Sequence, residues 1–104
     1  MALKFSDGNI ETYFSQDKLV VIDFWASWCA HCKRLTPVIE TLFEEYGESV
    51  NIGKYNVDEE EKMVAQYGIR NIPAIYFVKN GTVIDKLLGD VTKAKIKELI
   101  ELYK

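Results

Sequence analysis

The chain has 104 residues, 48% of them hydrophobic and 28% charged, with two prolines and a net charge of −3. That length holds one domain, residues 1–104, with a core of its own, and the composition excludes a disordered chain, a fibrous repeat or a dedicated nucleic-acid binder. The only two cysteines, Cys29 and Cys32, are too few to staple a secreted module and too close to brace distant segments.

The N-terminal residues carry no basic stretch followed by an apolar run, so no export signal is expected. Leu3–Phe5 reads as a short strand, followed by a short helix with Ile10, Tyr13 and Phe14 on its buried face. Leu19–Trp25 is β-branched, aromatic and nearly continuous, as in a strand buried on both sides. The apolar run through Ala26 is broken by Asp23 and is far too short to cross a membrane. From about Cys32 to Tyr46, the residues Leu35, Val38, Ile39, Leu42, Phe43 and Tyr46 keep helical spacing, with Gly47 as the stop and a kink expected at Pro37.

Val50–Val57 is the next strand. Asp58 and Glu61 have the spacing of a helix start, serving a helix that buries Met63, Val64 and Tyr67. Ala74–Val78 and Thr82–Leu88 flank Asn80-Gly81, a strong hairpin signal. Thr92 caps a last helix with Ile96, Leu99, Ile100 and Tyr103 on one face. The order βαβαβαββα predicts a three-layer α/β domain, its central mixed sheet flanked by helices.

Trp28-Cys29-Ala30-His31-Cys32 joins the buried strand to the long helix. Cysteines with two residues between them at a first helical turn can pair with little strain, and the helix N-terminus favours a thiolate. Cys29, ahead of the helix, is expected to be the exposed attacking sulfur, with Cys32 shielded and resolving. A zinc site needs about four ligands where this segment offers two cysteines and His31. An iron–sulfur cluster would need thiols from another chain. Inert cysteines fit poorly with a pair beside tryptophan at a helix start.

Asp23-Phe24-Trp25-Ala26, Trp28-Cys29-x-x-Cys32-Lys33, Pro37, Lys54, Ile72-Pro73, Lys79-Asn80-Gly81 and Gly89 form an ordered set spanning nearly the whole chain. By that set the chain resembles the thioredoxin family. The resemblance implies a thioredoxin fold and a protein-disulfide reductase that exchanges electrons between its dithiol and a disulfide on a client protein. No bound cofactor is implied. A redox-active Cys29–Cys32 disulfide is, re-reduced from NADPH by a flavoprotein reductase. The absence of an export signal makes the cytoplasm, where thiols are kept reduced, the expected compartment. A monomer is expected.

Asp23, an acid within an apolar strand, should have a raised pKa. The resemblance makes it a proton relay to Cys32, with Lys54 nearby. It also implies a cis bond before Pro73, which would turn the Ile72 backbone toward the cysteines. Trp28, Ile72, Pro73 and Gly89 would form the client contact area. Trp25 reads as packing and Pro37 as a helix feature.

Two features depart from the family pattern. Ala30-His31 stands where Gly-Pro is usual, and an imidazole there can stabilise a Cys29 thiolate. That predicts a potential tens of millivolts above the roughly −270 mV of thioredoxins. Asp90 stands where a small apolar residue is familiar, and would disfavour acidic clients. Two other functions fit the sequence: a more oxidising oxidase or isomerase, suggested by Ala30-His31, and a non-catalytic binding module with dispensable cysteines.

Overall fold

A computed structural model describes residues 1–89 and 91–104; the expectation attached to Asp90 lies outside them. Five strands, β1 (Leu3–Phe5), β2 (Val20–Trp25), β3 (Asn51–Asn56), β4 (Ala74–Lys79) and β5 (Thr82–Leu88), form one sheet in the order β1-β3-β2-β4-β5. β1 and β2 run parallel to β3, while β4 is antiparallel to both β2 and β5. This is the mixed sheet expected from an alternating first half followed by a hairpin.

Among the described residues, four α-helices cover the sheet: α1 (Ile10–Phe14), α2 (Ala30–Tyr46), α3 (Lys62–Tyr67) and α4 (Lys93–Tyr103). Strand alternation divides the core. Val21 joins Leu35, Ile39 and Leu42 of α2 and Ile96, Leu99 and Ile100 of α4 in one cluster. Val20, Ile22 and Phe24 join Ile10 and Phe14 of α1 and Met63 of α3 in the other. A central strand with apolar partners on both faces explains the near-continuous hydrophobic run of β2. Burying one such aliphatic side chain contributes about 1.5–3 kcal/mol.

Two glycines answer to geometry. A Cβ on Gly53 would lie 2.6 Å from the Leu3 carbonyl oxygen and 2.7 Å from the Phe5 ring, so β1 can pair there only against glycine. Asn80 and Gly81 both have positive φ, 51° and 79°, the requirement of a type I′ hairpin turn.

Several boundaries differ from the sequence reading. β2 begins at Val20, β3 spans Asn51–Asn56 and α2 begins at Ala30. Tyr13, Val64 and Tyr67 are only partly buried. Pro37 lies inside an unbroken α2.

The expected Asp58 cap does not form. α3 starts after Glu61, and its N-terminal groups are satisfied from a distance. The Asp7 carboxylate accepts from the Glu61 and Lys62 N–H groups at 3.2 and 3.1 Å. The Tyr55 hydroxyl accepts from the Met63 N–H at 3.0 Å and donates to Asp7 at 2.6 Å. Thr92 does cap α4, accepting from the Lys95 N–H.

Candidate active site

The chain leaves β2 at Trp25, passes the buried Ala26 and the 70% exposed Trp28, and enters α2 through Cys29. Cys29 is the N-cap, in an extended conformation, and its Sγ accepts the Cys32 N–H at 3.2 Å. The two cysteines are joined as a disulfide with their Cα atoms 5.2 Å apart. An N-cap side chain normally takes up a free N–H with oxygen. Here sulfur holds that place, so a Cys29 thiolate would inherit the donor and the positive end of the helix.

Cys32 has no exposed surface and Cys29 keeps 8%. The expected order of accessibility is present, but the exposed sulfur of the sequence reading is in fact mostly covered. Val57 and Ile72, with Trp25, pack against the pair. Ile72 was a candidate from the sequence. Val57 was not: it lies just past β3, and only its N–H bond to the Trp25 carbonyl, 3.0 Å, brings it to the site.

Asp23 follows Val21 by two residues and so faces the α2 layer. It is fully buried between Lys54 on β3 and Ile75 on β4, and neither carboxylate oxygen has a hydrogen-bond partner among the described protein groups. Burial pushes its pKa up to about 7, the nearby Lys54 ammonium opposing the rise. Lys54 does not touch the carboxylate. Its ammonium lies 4.0 Å from the Trp25 ring centre and donates to Thr36 Oγ1 at 2.8 Å.

The Ile72–Pro73 bond is cis and Pro73 is buried. Ala74, the next residue, pairs with Phe24 and with Leu88. The register thus sets Pro73 beside the end of β2 and beside Gly89, which is exposed with φ 79°. His31 is half-buried in the first turn of α2. Among the described residues, no three His, Cys, Asp or Glu side chains cluster closely enough to hold a metal ion.

The site can therefore make and break one disulfide at a helix start, with a buried carboxyl group able to change protonation near neutral pH.

The thioredoxin family model matches residues 2–102. A thioredoxin from Chlorobaculum thiosulfatiphilum is 43% identical over 97 residues, covering 92% of this chain and 90% of its own. A chloroplastic M-type thioredoxin from Pisum sativum is 39% identical over 93 residues, 89% of this chain and 54% of that longer protein. The solved structure of a Malassezia sympodialis thioredoxin superposes with a TM-score of 0.89 at 34% identity, covering 99% of this chain and 90% of the other. Among the described residues, no helix is long and apolar enough to cross a membrane.

Proposed function

This chain belongs to the thioredoxin family and is a thiol–disulfide oxidoreductase, a protein-disulfide reductase; we propose that Cys29 is its nucleophile and Cys32 its resolving thiol. The observation that carries this reading is the asymmetry of the pair. Cys29 caps α2 and reaches the surface, whereas Cys32 lies one turn inside and is sealed.

In the reduced chain the Cys29 thiolate attacks one sulfur of a client disulfide. The client S–S bond breaks, a client thiolate leaves, and a mixed disulfide forms. Asp23 in its ionised form accepts the Cys32 proton, and the Cys32 thiolate attacks Cys29 Sγ. The second client thiolate leaves and takes up a proton. Two electrons have passed to the client, and the chain is left with its Cys29–Cys32 disulfide. An acid that titrates near neutrality suits this role, because it can hold and release that proton at working pH.

Lys54 supports the ionised form of Asp23, and His31 favours the Cys29 thiolate. Trp28, Ile72, Pro73 and Gly89 form the client contact area. The exposure of Trp28 and the packing of Ile72 on the cysteines speak for it. The chain serves as one domain, residues 1–104, and as a monomeric electron carrier in cell redox homeostasis. It needs no bound cofactor of its own. A flavoprotein reductase returns electrons from NADPH, in a compartment that keeps thiols reduced, the cytoplasm.

Insulin reduction by dithiothreitol tests the reading. The wild type should accelerate it and Cys29→Ser should not. Equal rates for the two would make the chain a binding module.

A further inference from the structure

Lys54 stands opposite Asp23 in the β2–β3 register, and its ammonium lies near the carboxylate without touching it. Two contacts fix it: the Trp25 ring on one side and the Thr36 hydroxyl on the other. Thr36 is partly buried on α2, and its own hydrogen points at the Cys32 carbonyl, 3.4 Å away and one turn back. A helical threonine often folds its hydroxyl onto that carbonyl. What is added here is a cation on its lone pair, linking the lysine beside the buried acid to the turn that carries the resolving cysteine.

Trp25, Thr36 and Lys54 also line a cleft of about 460 Å³, rimmed by Lys4 of β1, Glu40 of α2 and Glu59. Glu40 is already engaged, its carboxylate accepting the Ala2 N–H. Asp23 itself is met by Lys54 from β3, by apolar Ile75 from β4, and from α2 by the layer that carries Thr36 and the cysteines. The Thr36 hydroxyl and the Trp25 ring together hold the Lys54 ammonium at the wall of the cleft.

We propose that Thr36 is a positioning residue: its hydroxyl anchors the Lys54 ammonium beside Asp23 and so fixes the charge that this acid meets when it moves a proton. The inference rests on the relay reading of Asp23 and adds to it a residue that does not touch the reacting atoms. Without the hydroxyl, the ammonium keeps only the Trp25 ring and is freer to swing into the water of the cleft. Its attraction for the ionised carboxylate then weakens with distance.

The test is a titration of the Asp23 side-chain carboxyl carbon by NMR in the oxidised chain, where neither cysteine titrates. In Thr36→Val the midpoint should rise by roughly half a pH unit, and Thr36→Ser should restore it. Thr36→Ala repeats the measurement if valine disturbs α2. A midpoint that stays put or falls in folded Thr36→Val or Thr36→Ala overturns the inference. Insulin reduction separates this from the relay reading. The Thr36→Val rate should drop about two- to threefold near pH 6.5 and recover by about pH 8.5. A shifted midpoint with an unshifted rate profile keeps Thr36 as the anchor of Lys54 and removes Asp23 from the proton path.

Discussion

At the start of α3 the N–H groups of Glu61, Lys62 and Met63 are taken by the Asp7 carboxylate and the Tyr55 hydroxyl, whereas at the start of α2 the Cys32 N–H meets only the Cys29 sulfur. The carboxylates of the two regions differ in the same way. Asp7 is hydrogen-bonded and Asp23 has no partner. Burial alone would raise the Asp7 pKa, but the bonds from Tyr55 and the α3 backbone outweigh it and hold the carboxyl below its ordinary value. Burial of Asp23 has no such answer and takes it up to about 7. A carboxylate that serves structure is saturated with donors. Asp23, which we propose moves a proton, is kept short of them, at a cost to the fold.

The two acids therefore contribute to stability with opposite signs. Asp7 stabilises the fold above the ordinary value of 3.8, and that contribution is lost as pH falls through its lower folded value. Between 3.8 and about 7 the folded chain keeps an Asp23 proton that the unfolded chain has released. Stability thus falls as pH rises through that window and stays lower above it.

The largest expected effect is on Asp23. Asp23→Ala should raise the unfolding free energy at pH 8 by on the order of 3 kcal/mol, and by far less near pH 4. Urea unfolding at both pH values measures it. A gain that is the same at both, or a loss at pH 8, breaks the contrast between the two acids. Next in size is the α3 start, where Asp7→Ala and Tyr55→Phe should each destabilise by about 1–2 kcal/mol. Their double-mutant cycle should show coupling, because both act on one set of N–H groups. Strict additivity would mean that the cap is not shared. Smallest is the sulfur-capped start of α2. His31→Pro should lower the redox potential by roughly 20–30 mV, corresponding to about 1 kcal/mol. Equilibration with glutathione mixtures reads this, and an unchanged potential would make His31 a bystander.

Most of the fold was legible, because the apolar spacing of β2, α2 and α4 and the Asn80-Gly81 turn are local signals. The α3 start was not. Its cap comes from Asp7, more than fifty residues earlier, so the local Asp58 and Glu61 spacing misled. In the site, the cysteines and Asp23 stand out by residue type and neighbours. Val57 and Thr36 do not, since their roles follow from strand register and from a side chain reaching across from α2 to β3. A threonine four residues after Cys32 was the one available hint, and taken alone it signals no more than a hydroxyl folded onto its own helix.

The assignment of attack to Cys29 can be tested by trapping the intermediate. Cys32→Ser, reduced and mixed with a disulfide-bonded client such as insulin, should accumulate a mixed disulfide that mass spectrometry of its peptides places on Cys29. Cys29→Ser under the same conditions should trap little, because the remaining sulfur is sealed. Trapping on Cys32 at a comparable rate would contradict the account.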